Sequence, residues 1–467
     1  MVRSDDVAFW RQHLADLPDP GHPALAGLFA EVLERTRVGP DADFFDLGGH
    51  SLLVARLLSR VDREFGVRIS LSDFLATPTV RALAALIDRG ARTTQEFAAA
   101  SDSALPPGIE FPPTVLPCPA PERVLLTGAT GFVGAFVLRE LLRQTTAEVL
   151  CLVRGEPARD RLTAVLRSYE IDVDETRISV VQGDLALPGL GLDTAARQDI
   201  AETVDFIVHC GAFVHHVSPY ARLKPANVDG TLELVRLVGQ GRPKRLHHVS
   251  TVSVFRSGTI TEDSPIDRER HPVGDGYAAS KWASDMVVLK AIERGAAARI
   301  HRLGWVWAET ATGVVSPDDL FCRVLLTSAA LGCHPDDPLM RAGLLPVDVI
   351  AEAIVTSALQ DDQPGTARHL HPPGSIGPDA FLRIYGESEP VPLTEWLRRT
   401  AGRELPILPY QRMFEEYTRN PVTAGLGFRN DHTLAVLARL GVDVPEIDTA
   451  MITAFWRRLE QQGLLDR

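Results

Sequence analysis

One stretch narrows the fold more than any other: Leu125-Leu126-Thr127-Gly128-Ala129-Thr130-Gly131-Phe132-Val133-Gly134, which follows a short apolar run and opens a helical one. In such a place Gly128 permits a tight turn, Gly131 lets backbone approach a pyrophosphate, and Gly134 lets the helix pack closely on the strand. The helix start adds unpaired N–H groups and a partial positive charge for phosphate. Strand, glycine turn and helix in this order predict the first unit of a parallel sheet that holds a dinucleotide. They nominate Gly128, Thr130, Gly131, Phe132 and Val133 as its cradle.

The rest of the chain supports that reading. Apolar runs at 149–153, 178–181, 206–209 and 246–250 alternate with helical stretches, including 136–142. This alternation implies a parallel sheet covered by helices on both faces. Upstream, the segment 98–121 carries Pro-Pro-Gly, Phe-Pro-Pro and Pro-Cys-Pro. Proline fixes φ and removes a donor, so this density reads as a semi-rigid connector. The expected division is a tail at 1–20, a small helical module at 21–92, a linker at 93–121 and an α/β domain at 122–467. Within the last, the nucleotide-binding core is expected mainly over 122–310 and a smaller substrate-binding part over 311–467.

The small module has Leu25, Leu28, Phe29, Val32 and Leu33, then Val54, Leu57, Leu58, Val61 and Phe65, at helical spacing. Gly66 suits the end of the second helix. A further helix is expected from near Pro78, with Val80, Leu83, Leu86 and Ile87 on one side. Three or four short helices of this kind make a minimal bundle.

Composition excludes several classes. The 61 acidic against 48 basic residues leave a formal charge of −13, without the positive surplus a general nucleic-acid binder needs. Five cysteines, odd in number and never in Cys-x-x-Cys, argue against a disulfide framework or a zinc site. No secretory leader is evident at the N-terminus and no apolar run approaches the roughly 20 residues of a membrane span. A reduced, cytoplasmic protein is expected, with neither membrane nor nucleic acid as partner.

Cofactor choice is read after the second strand. An acidic residue there would hold a ribose 2′-hydroxyl, whereas the chain has Cys151-Leu152-Val153-Arg154-Gly155 with Arg161 beyond it. A guanidinium binds a 2′-phosphate bidentately, so the pair favours NADPH. Asp184, in Gln182-Gly183-Asp184-Leu185, is either an acceptor for the adenine amino group or a turn aspartate. Cys210-Gly211-Ala212 close the fourth strand with residues small enough for a cofactor to pass.

Gly276-Tyr277-Ala278-Ala279-Ser280-Lys281 contains Tyr-x-x-x-Lys, which places both side chains on one helix face. Lys281 can hold a nicotinamide ribose and, as a cation, lower the pKa of Tyr277. Tyr277 can then give a proton to a substrate oxygen. Thr251 is the expected third member, polarising a carbonyl, with Ser250 and Ser253 as competitors. No cysteine lies in a nucleophile motif. The pairs His215-His216 and His247-His248 lack a carboxylate or cysteine at ligand spacing, so they read as core residues and no metal site is expected.

Both halves resemble known families. Asp43-Phe44-Phe45-Asp46-Leu47-Gly48-Gly49-His50-Ser51-Leu52 is similar to the attachment motif of peptidyl carrier proteins, which implies covalent 4′-phosphopantetheine on Ser51. Read without that likeness, Ser51 could be an N-cap serine. From about Glu122 onward the chain resembles the terminal thioester reductase domains of nonribosomal peptide synthetases, within the extended short-chain dehydrogenases. The likeness rests on the motifs above, with Tyr220 to Thr231 and Leu345-Pro346-Val347-Asp348.

The resemblance implies an all-α four-helix carrier bundle joined by the proline-rich linker to a Rossmann-type reductase with a C-terminal substrate-binding subdomain. It implies NADPH-dependent reductive release of a tethered acyl thioester as an aldehyde, with possible further reduction to an alcohol. It adds Leu185, Asn227, Ser250 and Leu303 to the cofactor contacts, and places substrate contacts in the segment beyond Thr310, including 314–345, and in the C-terminal helices. A phosphopantetheinyl transferase would install the arm. An adenylation or condensation protein would load the acyl group in trans. The competing readings are a non-redox cyclising release domain, which typically lacks the tyrosine, a nucleotide-sugar epimerase or dehydratase, which needs no tether, and a non-catalytic carrier scaffold. One departure from the family stands out: after Arg302, where Pro-Gly and an aliphatic residue are usual, the chain reads Leu303-Gly304-Trp305-Val306-Trp307.

Overall fold

A computed structural model of the protein describes residues 23–65, 69–88, 99–112, 117–215, 218, 220–255, 258–266, 276–316, 318–362, 367–419 and 427–465. The tail expected at 1–20, the stop at Gly66, the first part of the expected linker and His216 lie outside these. The chain forms two compact units, Met1–Glu96 and Phe97–Arg467.

In the first unit four helices, α1 (Pro23–Val32), α2 (Ser51–Phe65), α3 (Leu71–Ala76) and α4 (Val80–Asp88), share one apolar core. Sequence periodicity points to three of them. The six-residue α3 is too short to show a period and is marked by its cap, Ser70 accepting from the Asp73 N–H at 3.0 Å. Phe29, Phe44 and Phe74 meet edge to face, with Phe44 at 5.4 Å from Phe29 and 5.6 Å from Phe74. This geometry suits the ring quadrupoles. Gly49 lies against Phe44 so closely that a Cβ would stand 2.2 Å from its ring. The glycine lets the chain pass the core and enter α2 at Ser51.

The second unit is built on seven parallel strands. These are β1 (Arg123–Thr127), β2 (Glu148–Val153), β3 (Ile178–Gln182), β4 (Phe206–His209), β5 (Arg245–Thr251), β6 (Ala298–Leu303) and, after two short strands β7 (Trp305–Trp307) and β8 (Leu344–Pro346), β9 (Ala367–Leu370). The sheet order is β9-β6-β5-β4-β1-β2-β3, and β7 pairs with β8 apart from it. Chain direction reverses its sideways progress between β1 and β4, the switch point where such sheets bind ligands beyond their carboxyl ends. Buried runs such as Val124–Leu126 and Phe206–Val208 are apolar without alternation because both sheet faces are covered.

Three helices position the site: α5 (Phe132–Gln144), α6 (Gly276–Glu293) and α7 (Val347–Gln360). Phe321, Phe381, Phe455 and Trp456, within the part expected to bind substrate, form a separate apolar core together with Trp307. Within the span expected as linker, Ala99, Leu105, Ile109 and Phe111 pack on the sheet's helical layer. Tyr220 donates to Asp102 at 2.9 Å, and Arg294 donates to the carbonyls of Pro106 and Leu105 at 2.7 and 2.9 Å. Apolar residues between the prolines give that stretch something to bury. Among the described residues no helix is long and apolar enough to cross a membrane.

Candidate active site

The strand ends converge at the switch point. Gly128 adopts φ +79°, a left-handed conformation that favours glycine, and its absent Cβ would stand 2.6 Å from the Gly211 nitrogen. A Cβ on Gly134 would lie 2.0 Å from the Gly128 carbonyl oxygen. The loops after β1 and β4 therefore touch only because no side chains intervene. Thr127 ties them, its Oγ1 accepting from the Gly211 N–H at 3.1 Å. Gly131 is the extended residue before α5, so Phe132 and Val133 begin the helix with N–H groups that have no intrahelical acceptor. The Phe132 ring packs on Phe136 and Tyr169, leaving its backbone as the group available to phosphate. Thr130 is half-buried in the same turn. This cradle fits a dinucleotide pyrophosphate.

Arg154 leaves β2 exposed, and Arg161 donates back to its carbonyl at 2.7 Å. That bond holds the Arg161 side chain against the Arg154 backbone just beyond β2. Asp184 accepts from the Ala186 N–H at 2.9 Å, so its turn role is realised. Leu185 fills the space beside Gly211, whose Cβ would meet its side chain at 2.6 Å. Cys210 and Ala212 flank that glycine, half-buried. Burial pushes the Cys210 and Cys151 thiols up to about 12, which leaves them protonated and poor nucleophiles.

Asn227, expected to touch cofactor, is buried and fully engaged with protein. Its Oδ1 accepts from the Phe213 N–H at 2.6 Å, and its Nδ2 donates to the Phe213 carbonyl at 3.1 Å and Ser280 Oγ at 2.9 Å. It clamps the loop after β4 to α6. It sits in a π-helical turn, Pro225–Asp229, of the kind often found at functional sites.

Tyr277 and Lys281 stand on α6, with Tyr277 half-buried and Lys281 buried. Lys281 Nζ donates to the Val249 carbonyl at 2.9 Å and lies 3.4 Å from His248 Nε2. At the end of β5, Ser250 is buried whereas Thr251 is half-buried, its Oγ1 accepting from the Ser253 N–H at 3.2 Å. Leu303 on β6 is in register with Thr251.

Beneath this pair lies a buried polar chain that motif spacing does not reveal. Asp285 is 3.5 Å from His248 and receives Arg302 Nε at 2.9 Å, and Arg302 lies 3.2 Å from His369. Burial alone would push the Asp285 carboxyl up, but the Arg302 guanidinium and His248 overcome it and bring it down to about 2. Burial and then the Lys281 ammonium push His248 down to about 4, so it is neutral near pH 7. Burial pushes Lys281 down to about 8, with the Asp285 carboxylate the main opposing influence. One signal for Asp285 is present in the sequence: Tyr277, Lys281 and Asp285 recur every four residues along one helix face.

Residues 126–354 match the family model described as male sterility protein, and residues 23–87 match that of the phosphopantetheine attachment site. The chain is 34% identical over 491 residues to glycine betaine reductase ATRR of Emericella nidulans, covering 96% of this chain and 38% of that protein. It is 33% identical over 384 residues to the large subunit of L-2-aminoadipate reductase from Penicillium chrysogenum, covering 73% of this chain and 27% of that protein. The chain thus spans well under half the length of these two relatives. Among solved structures, the terminal R domain from the myxalamid biosynthetic pathway aligns with a TM-score of 0.71 at 35% identity, covering 79% of this chain and 98% of that one. A thiolation-reductase di-domain from an archaeal nonribosomal peptide synthetase shares the fold at 20% identity, with a TM-score of 0.71 over 96% of this chain and 98% of that one.

Proposed function

We propose, because the chain belongs to the family of nonribosomal peptide synthetase terminal reductase domains and carries a phosphopantetheine attachment domain ahead of it, that it releases a tethered acyl thioester reductively as an aldehyde. NADPH would supply the hydride, and the balanced change is thioester plus NADPH plus a proton to aldehyde, thiol and NADP⁺. The observation that carries this reading is Tyr277 and Lys281 side by side on α6 above the end of β5, where Thr251 is in register with Leu303. The turn 128–134 would hold the pyrophosphate. Lys281, anchored by the Val249 carbonyl, would hold the ribose hydroxyls and favour ionisation of Tyr277. Thr251 would orient the thioester carbonyl, and Tyr277 would give its proton to that oxygen as hydride reaches the carbon. The resulting hemithioacetal then gives up its hydroxyl proton as the carbon–sulfur bond breaks, and the leaving sulfur takes a proton to leave as thiol.

Ser51, at the start of α2, is the proposed attachment point for the arm, installed by a phosphopantetheinyl transferase. An adenylation or condensation protein would load the acyl group. The reaction belongs in a reducing cytoplasm. The test is a single-turnover assay on acyl-loaded holo-protein, following NADPH absorbance and product mass. One aldehyde per NADPH consumed supports the reading. Release of an acid or a cyclic product without NADPH consumption would sink it.

Arg154 and Arg161 support NADPH over NADH. Replacing Arg154 with alanine is expected to raise the KM for NADPH roughly tenfold to a hundredfold while changing that for NADH little, as loss of a charge-assisted hydrogen bond to one phosphate predicts. Parallel KM measurements with both cofactors check this.

A pH limb is also expected. The Lys281 ammonium faces His248 from β5, His209 and Cys210 from β4, and Tyr277 and Asp285 on its own helix. Turnover that needs this ammonium falls as pH rises through about 8. Asp285→Asn removes the charge that opposes burial, so Lys281 loses its proton more readily and the limb moves to lower pH. Profiles of kcat/KM for both proteins measure the displacement; a limb that stays put would count against this role for Asp285.

A further inference from the structure

Two large apolar side chains stand exposed on the segments that follow β6 and β4. Trp305 is 38% exposed and Val214 is 57% exposed. Single exposed apolar residues are common and need no explanation by themselves. Their placement is what sets these apart. In the sheet, β5 lies between β6 and β4, so the segments leaving those neighbours rise on either side of Thr251. Trp305 follows Leu303 by two residues, and Leu303 is in register with Thr251. That puts its Cα roughly 6–7 Å further along the chain from the level of the catalytic strand end. Val214 follows Phe213, whose N–H and carbonyl are both held by Asn227. Asn227 is bonded to Ser280, the neighbour of Lys281, so the position of Val214 is tied to the catalytic helix.

Behind Trp305 the surroundings are aromatic. Its ring meets Phe321 edge to face at 6.2 Å, and Phe321 leads to the buried Trp307 at 5.9 Å. The C-terminal aromatic core therefore reaches the surface through Trp305, two residues past the register partner of Thr251.

We propose that Trp305 and Val214 are the two walls that receive the acyl group, that the tethered substrate is an apolar aliphatic or aromatic acyl chain, and that Trp305 sets how strongly longer chains are preferred. This rests on the reductive-release reading for its place in the reaction, but binding can test it separately. With purified full-length protein and NADPH, kcat/KM is measured for acetyl-, octanoyl- and phenylacetyl-pantetheine thioesters in wild type, Trp305→Ala and Trp305→Phe. Thermal denaturation and an NADPH titration monitor the fold of each variant.

The octanoyl-to-acetyl ratio is expected to fall roughly tenfold or more in Trp305→Ala, the scale on which apolar contacts discriminate substrates, and to recover largely in Trp305→Phe. A ratio that Trp305→Ala leaves within about twofold of wild type overturns the proposal. If no thioester is reduced, the reductive-release reading fails, and the same question is put to unreactive acyl-pantetheine thioethers by calorimetry. Affinity that rises with acyl length in wild type but not in Trp305→Ala supports the proposal. Equal slopes in the two proteins overturn it.

Discussion

Replacing Tyr277 with phenylalanine is expected to lower kcat for thioester reduction by roughly 10²–10⁴, the usual contribution of a positioned general acid. The ring, its place on α6 and the packing of its neighbours are retained, and only the hydroxyl group is lost. Lys281 keeps its bond to the Val249 carbonyl, so NADPH should still bind with near-native affinity. The measurement is stopped-flow NADPH oxidation with an acyl-pantetheine thioester, beside a fluorescence titration of the cofactor. Retained binding with lost turnover identifies the hydroxyl as the proton source. Unchanged turnover would remove Tyr277 from the mechanism and shift attention to Thr251. Parallel loss of binding and turnover would point to damage in the cofactor site.

The second large effect concerns stability, at the opposite end of the strands. Asp361 follows α7 and is completely buried. Its carboxylate receives Arg368 Nε at 3.0 Å and Ser357 Oγ at 3.2 Å, and Arg299 stands 3.6 Å away. Its backbone carbonyl accepts from Arg245 at 3.3 Å and from Arg299 at 3.5 Å. One carboxylate thus compensates guanidinium charge gathered from β5, β6 and β9. Asp361→Ala removes the buried carboxylate that these guanidinium groups face, a change expected to cost about 3–5 kcal/mol. Denaturation of the full chain should show the transition of the α/β unit moved to lower guanidinium concentration. Pairing Asp361→Leu with Arg368→Met should recover much of the loss, because an apolar pair avoids the desolvation that the ion pair only balances. An Asp361→Ala protein as stable as wild type would mean that water reaches these arginines after all.

These two expectations differ in how far the sequence foretells them. Tyr277 and Lys281 are visible as a spacing, because a helix converts a four-residue interval into a shared face whatever surrounds it. Asp285 continues the same interval, yet its partners His248 and Arg302 come from two other strands, and nothing local announces them. Asp361 is the same case carried further, since its arginines lie at 245, 299 and 368. Asn227 is legible as part of a motif and is placed by the structure as a loop clamp bonded to Phe213 and Ser280. The short helix α3 leaves no periodic signature because six residues are less than two turns.

The sequence by itself determined the cradle. Gly128, Gly131 and Gly134 act through what their backbones permit, and a strand, a turn and a helix are local objects. It likewise determined the strands, whose apolar runs report burial on both faces, and the Ser51 motif at the start of α2. Only the tertiary structure decided which loops touch, which charges share a buried site, and that Trp305 stands at the surface while Trp307 does not. The physical reason is the range of the interactions. Backbone geometry and periodicity act over a few residues and are written in neighbouring letters. Desolvation, ion pairing and side-chain packing depend on which distant segments fill the same volume, and that is settled only when the sheet has brought their ends together.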